Sequence, residues 1–238
     1  MQNERKLSIE TIKKLGLGYA PDSFDNLKRY LLKCGFSEHE LVEYSLCNQS
    51  ENGHTYDAFR NRVMFPIQDI NHRVIGFGGS VMGDGEPKYL NSPETMIFDK
   101  SRNLYGLNFA RSSRRDHIIL CEGYMDVISM HQAGFTQAVA SLGTAFTSGQ
   151  ANLLHRFTDT VILSYDSDGA GTKAALRAIG ILRENGMTAR VLNLEPYKDP
   201  DEFIKENGAE AYKQCIEKAP LLIDYRLNQV LKKHMTYP

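Results

Sequence analysis

A chain of 238 residues with 42% hydrophobic and 24% charged side chains can bury a sizeable core, as one large domain or two small ones, and has the make-up of a soluble globular protein. Its net charge of −1 argues against a protein that coats nucleic acid non-specifically, and no apolar stretch approaches the roughly 20 residues of a membrane span. The first residues, Met1-Gln2-Asn3-Glu4-Arg5, form no apolar signal region, and Cys34, Cys47, Cys121 and Cys215 lack the paired spacing of a zinc site or a redox dithiol, which leaves reduced thiols in a cytosolic protein. The charge is slightly uneven: residues 1–115 hold 16 Lys+Arg against 14 Asp+Glu (+2), and residues 116–238 hold 12 against 15 (−3). By itself that asymmetry proves nothing.

Residues 1–50 read as helical. Ser8 caps a helix that stops at Gly16, residues 24–34 place Leu27, Tyr30 and Leu31 at helical spacing before Gly35, and Ser37 with Glu40 forms a capping box for a third helix. Then the character changes. Val63-Met64-Phe65-Pro66-Ile67 and Arg73-Val74-Ile75-Gly76-Phe77-Gly78-Gly79 read as antiparallel strands joined through Asp69-Ile70-Asn71-His72, and residues 88–94 read as a loop. The charged stretch 111–116 marks the expected domain boundary. Beyond it strands and helices alternate, the signature of a parallel sheet, with helices expected at 124–133, 148–156, 171–184, 209–218 and from 220 to about 233. The expected fold is α/β: an α+β N-terminal part (1–114), a parallel-sheet domain (115–208) and the start of a helical part (209–238).

Acidic residues recur just after the apolar runs of this second half. Glu122 follows Ile118-Ile119-Leu120-Cys121, with Asp126 four residues on. Asp166 and Asp168 follow Val161-Ile162-Leu163-Ser164-Tyr165, and Asp199 and Asp201 follow the run at 189–194. In an open α/β sheet the carboxyl ends of the strands line the ligand crevice. Carboxylates gathered there repel one another unless a cation intervenes, and Mg²⁺ suits a few carboxylate oxygens with water and phosphate completing its shell. The i, i+2 spacing of Asp166 and Asp168 projects both to one side of an extended segment, and Gly169, Ala170 and Gly171 let backbone approach a phosphate. Taken singly, Asp199 and Asp201 suit a helix cap equally well, and Asp126 suits a first-turn helix charge. Three strand-end acidic clusters in one sheet point to a metal-dependent phosphoryl-transfer site.

Rival chemistries find little support. The sequence has no Gly-x-x-x-x-Gly-Lys-Ser/Thr loop, no Gly-x-Ser-x-Gly elbow and no histidine pair spaced around a glutamate. His117, His131 and His155 read as structural or surface residues. Gly76-Phe77-Gly78-Gly79 lacks the spacing and following helix of a dinucleotide loop.

Glu122-Gly123-Tyr124-Met125-Asp126-Val127, Ser141-Leu142-Gly143-Thr144-Ala145, Tyr165-Asp166-Ser167-Asp168-Gly169-Ala170-Gly171 and Lys198-Asp199-Pro200-Asp201-Glu202 together resemble the toprim domain, and more narrowly that of bacterial DnaG-type primases. The stretches 56–67, 74–79 and 87–95 resemble the primase-specific subdomain, so the resemblance runs from about residue 5 to residue 225. It implies an RNA polymerase that makes short primers on single-stranded DNA during replication, from ribonucleoside triphosphates, with Mg²⁺ or Mn²⁺ and with no zinc in this chain. It implies Glu122, Asp166 and Asp168 as catalytic residues, and Glu122, Asp126, Asp166, Asp168, Asp199 and Asp201 as metal-binding acids. Lys88, Tyr89 and Lys100 correspond to nucleotide and template contacts, and Arg5, Arg60, Arg62, Lys88 and Asn91 to DNA contacts. Its implied partners are the DNA template, the RNA primer and, through a domain this sequence lacks, the replicative helicase; its implied location is the bacterial cytoplasm, at the nucleoid and replisome. One departure is Ser80, where such primases usually carry an arginine. With no zinc-binding module upstream, the chain is read as a truncated core. Two other readings remain: another toprim enzyme such as a metal-dependent nuclease, and a non-catalytic remnant that binds template and nucleotide. A type IA topoisomerase would need a strand-cleaving tyrosine in separate domains, for which this chain has no room.

Overall fold

The computed structural model describes residues 6–220. The described residues divide into two compact units, with the division between residues 99 and 100.

The first unit opens as its sequence requires. Ser8 accepts a hydrogen bond from the Thr11 N–H to start α1 (Ile9–Leu15), and Gly16, at φ 67°, ends it in the left-handed conformation glycine tolerates best. After the short strand β1 (Gly18–Ala20) come α2 (Asn26–Lys33) and α3 (Glu38–Glu43), the latter with the complete Ser37–Glu40 capping box. The start of α2 is satisfied from a distance. Buried Asp57 accepts from the Leu27 and Lys28 N–H groups at 2.8 and 2.9 Å. Asp57 ends a small hairpin, β2 (Cys47–Gln49) with β3 (Thr55–Asp57), which the sequence patterning did not reveal. The main sheet is antiparallel, ordered β1-β4-β5-β6, with β4 at Arg62–Gln68, β5 at Val74–Val81 and β6 at Tyr89–Asn91. Alternation along β4 buries Phe65 and Ile67 completely. The β4–β5 hairpin is where the sequence placed it. The expected loop 88–94 contains β6 instead; three residues ahead of Pro93 are too few to show a period of two, and the strand exists because Leu90 pairs with Gly79 of β5.

The second unit begins with a 3₁₀ turn at Lys100–Arg102 and the short helix α4 (Leu107–Ala110). The sequence-derived border at 114/115 thus lies fifteen residues beyond the division by packing. Residues 100–110 belong to the second unit through Gln150, which donates to the Lys100 and Asn103 carbonyls, and through a bridge between Tyr105 and Ala140. The sheet that follows is wholly parallel, ordered β10-β9-β7-β8: β7 (His117–Cys121), β8 (Ala138–Ala140), β9 (Thr160–Ser164) and β10 (Thr188–Val191). Its central strands, β7 and β9, carry continuous apolar runs because both faces are covered; Ile119, Leu120, Val161 and Leu163 are fully buried. The crossovers are α5 (Tyr124–Gln132), α6 (Ser148–His155) and α7 (Gly169–Glu184), and α8 (Pro200–Glu217) follows β10.

Helix α8 starts nine residues before the expected helix at 209–218. Gly208, at φ 84° and ψ 165°, breaks it, so the first part carries its own capped start at Asp199-Pro200. Its second part is core: Tyr212 is fully buried, its hydroxyl 2.7 Å from Ser164 Oγ, and its ring meets Phe135 edge-on. The helix expected from 220 to about 233 lies outside the described residues.

Candidate functional site

The strand order sets the site. From β7 the chain crosses to β8 on one side, and it then returns to build β9 and β10 on the other. Loops leaving β7 and β9 therefore diverge, and the gap between them is the topological switch point where ligands bind in open α/β sheets. Glu122 leaves the end of β7 and Asp166 the end of β9, two strands that pair directly through Cys121 and Ser164. The Asp166 N–H donates to Glu122 Oε1 at 3.1 Å, bringing the two carboxylate-bearing loops into contact.

Three further acids serve helix starts. Asp126 Oδ2 accepts from the Gly123 N–H at 3.0 Å at the head of α5, Asp168 caps α7 through the Gly171 N–H at 2.7 Å, and Asp199 caps α8 through the Glu202 N–H at 2.9 Å. Each uses one oxygen for the cap, and among the described residues the other is left for a ligand. Asp201 instead pairs with Lys205 one turn along α8. Gly171 is needed here for close approach. A Cβ at that position would lie 2.2 Å from the Asp166 carbonyl and 2.6 Å from Glu122 Oε1, so the acid loop and the helix start meet only over a bare backbone.

The electrostatics match the crowding. Burial raises the Glu122 pKa, and Asp166 and Asp168 raise it further. Asp126 is pushed up to about 7, by burial first and then by Asp166, Asp199 and Glu122. Asp166 is raised by burial and by Asp199. Lys198 opposes these shifts at Glu122 and Asp166. Carboxylates that raise one another fit a site for a divalent cation. Among the described residues no three Asp, Glu, His or Cys groups grip an ion unaided.

The basic residues singled out from the sequence divide by environment. Arg62 is only 5% exposed, and its guanidinium donates to the Pro87 carbonyl at 2.8 Å and, more weakly, to the Lys88 carbonyl at 3.4 Å, shaping the turn before β6. Arg60 is part-buried, 4.6 Å over the Phe24 ring and 5.2 Å over the Tyr56 ring, and donates to the Asp57 carbonyl. Lys88 is exposed, its Nζ 5.8 Å from the Tyr89 ring centre, and Tyr89 is itself exposed. Asn91 closes β6, and Ser80 pairs with Tyr89 on one side and Val63 on the other. Lys100 is part-buried in the second unit, and Arg5 lies outside the described residues. Sequence reasoning passed over Lys198 as a site residue. Its signal was a cation directly before the Asp199-Pro200-Asp201 acids.

Residues 1–111 match the family described as DNA primase catalytic core, N-terminal domain, and residues 119–204 match the toprim-like family. The E. coli primase catalytic core superimposes with a TM-score of 0.87 at 41% identity, over 98% of this chain and 76% of that one. The chain belongs to the family of bacterial DnaG primase catalytic cores. A DnaG primase catalytic domain bound to single-stranded DNA matches at a TM-score of 0.86 and 39% identity, covering 98% of this chain and 74% of that one. The DNA primase of Clostridium acetobutylicum is 49% identical over 230 residues, 96% of this chain but 38% of that protein's length. Within the primase family the acids of the parallel sheet fall in the toprim-like match. Residues 100–110 belong to the N-terminal family match by sequence and to the toprim unit by packing.

Proposed function

We propose that this primase core carries out nucleotidyl transfer at the carboxyl edge of its parallel sheet. The supporting observation is the meeting of Glu122 and Asp166 at the switch point, with Asp126, Asp168 and Asp199 on the adjoining helix starts. In this reading the 3′-hydroxyl of an RNA primer attacks the α-phosphate of an incoming ribonucleoside triphosphate. The new P–O bond forms as the bond to pyrophosphate breaks, and the hydroxyl proton is lost. Mg²⁺ or Mn²⁺, drawing on Glu122, Asp126, Asp166, Asp168 and Asp199, and on Asp201 only if it releases Lys205, would supply Lewis-acid stabilisation of charge on the phosphate oxygens.

The chain's own residues contribute position and field. The Asp166 N–H holds the Glu122 carboxylate in place, and its raised pKa suits it to take up the proton of the nucleophile. The caps made by Asp126, Asp168 and Asp199 fix these carboxylates on rigid helix starts, so little reorganisation is needed when charge develops. In the first unit, Lys88 and Asn91, with Tyr89 offering a ring face, form the contact set for template and nucleotide; Arg60, Arg62, Lys100 and Arg5 complete the assignment carried by the family resemblance. A stacked base on Tyr89 contributes about 1–3 kcal/mol. Arg62, bonded to backbone, also holds the Lys88 turn.

The test is primer synthesis on single-stranded DNA with labelled ribonucleotides and Mg²⁺ or Mn²⁺, beside an Asp166→Asn/Asp168→Asn control. Product from the parent and none from the control supports the reading. Strand cutting in place of synthesis would assign these acids to a nuclease.

A further inference from the structure

Lys198 is placed with more care than an exposed lysine requires. Its carbonyl accepts from the Ser167 N–H at 3.0 Å, its own N–H donates to Glu202 Oε2 at 2.7 Å, and the preceding Tyr197 carbonyl accepts from Ser167 Oγ at 3.0 Å. Ser167 is the residue between Asp166 and Asp168. These bonds therefore tie the backbone of Lys198 to the loop carrying both acids, while the next residue, Asp199, caps α8. The side chain is exposed, and its ammonium makes no ion pair or hydrogen bond among the described residues. Its charge is nevertheless felt at both Glu122 and Asp166. A fixed backbone with a free tip near unpaired carboxylates is a poor arrangement for structural support, which would close the ion pair. It suits a ligand that brings its own negative charge into an acidic site.

We propose that Lys198 is a phosphate-binding residue of this site, holding the β- and γ-phosphates of the incoming nucleotide beside the acids. The proposal rests on the nucleotidyl-transfer reading and deepens it. A triphosphate approaching clustered carboxylates meets repulsion that divalent ions relieve only in part; a lysine ammonium adds a compact charge with three donors on a flexible stem. It lies in the loop between β10 and α8, bonded through its backbone to the loop that carries Asp166 and Asp168.

The experiment is calorimetry of Mg²⁺ alone and of ATP in saturating Mg²⁺, on the parent chain, Lys198→Ala, Lys198→Arg and Asp166→Asn, with KM and kcat measured where primer synthesis is detectable. In Lys198→Ala, ATP binding weakens about ten-fold, the scale of one charge-assisted phosphate contact, while Mg²⁺ binding is retained or strengthened. KM for the nucleotide rises more than kcat falls, and Lys198→Arg recovers most of the loss. Unchanged ATP binding with altered Mg²⁺ affinity would make Lys198 a counter-ion only and overturn the proposal. Mg²⁺ binding that Asp166→Asn leaves untouched would sink the metal-site reading itself, and this inference with it.

Discussion

Glu122 and Asp166 are joined by a single 3.1 Å bond from the Asp166 N–H to Glu122 Oε1, across the gap where the crossovers of the parallel sheet reverse direction. The bond steadies one carboxylate against the backbone of the other's loop, yet both stand above their ordinary values: Glu122 through burial and then Asp166, and Asp166 through burial and then Asp199. Asp166→Asn keeps the backbone donor and removes one charge. It should raise the melting temperature of the metal-free chain, weaken Mg²⁺ binding, and cut primer synthesis on the order of 10²-fold or more. Thermal melts with and without Mg²⁺, beside the activity assay, check all three; a variant that melts lower and works normally would break the link.

Gly171→Ala tests the close approach of acid loop and helix start. The added methyl would meet the Asp166 carbonyl at 2.2 Å, where no flexible side chain can yield. The expected cost is about 1–3 kcal/mol of stability, read by chemical denaturation, together with loss of activity because Glu122 and Asp166 are pushed apart.

The two basic residues Arg62 and Lys88 should separate cleanly. Buried Arg62 holds the Pro87 and Lys88 carbonyls, so Arg62→Ala should destabilise the chain by about 1.5–3 kcal/mol. Exposed Lys88→Ala should leave stability within about 0.5 kcal/mol and weaken binding of a single-stranded oligonucleotide with a shallower salt dependence. Denaturation curves and salt-dependent anisotropy distinguish them.

Ser80 pairs with Tyr89 across the β5–β6 ladder, and cross-strand partners share a face. Ser80→Arg places a new cation beside the Lys88-Tyr89 pair. It should tighten oligonucleotide binding and steepen the log–log salt slope by about 0.7, the value for one added phosphate contact on a single strand.

Asp126 gives the metal-free chain a pH dependence. Its pKa stands at about 7 in the folded chain, raised chiefly by burial, against 3.8 for the free side chain. The folded state therefore holds a proton that the unfolded chain releases, and this contribution to stability is full below about pH 3.8 and lost as the pH rises to about 7. Melting temperatures should fall between about pH 4 and pH 7, and Asp126→Asn should flatten that fall while keeping an oxygen to cap Gly123. An equally steep fall in the variant would assign the effect elsewhere.

Much of this was written in local pattern. Ser8 and Gly16 bound α1, Ser37 and Glu40 start α3, and the apolar runs ending at Cys121 and Ser164 mark two adjacent strands, because capping and burial on both faces depend on residues near in sequence. Long-range features were not legible. Strand β6 takes its identity from Gly79 across the ladder, the start of α2 is satisfied by Asp57 some thirty residues away, and the N-terminal border shifts to 99/100 because Gln150 reaches back to Lys100. For Asp199, local pattern alone leaves cap and ligand as alternatives. Asp168 and Asp199 are caps in fact, and a cap occupies one carboxylate oxygen of two. Arg62 shows the limit on the basic side: composition cannot tell a guanidinium facing solvent from one spent on its own backbone.

Because Asp126, Asp168 and Asp199 each hold the first turn of a different helix, a cation arriving among them would tighten α5, α7 and α8 together. The amide protons of Gly123, Gly171 and Glu202 are natural reporters of that event. Their exchange with deuterated solvent should slow in concert as divalent ion is added, so that occupancy is registered along three helix starts on one edge of the sheet before any nucleotide is present.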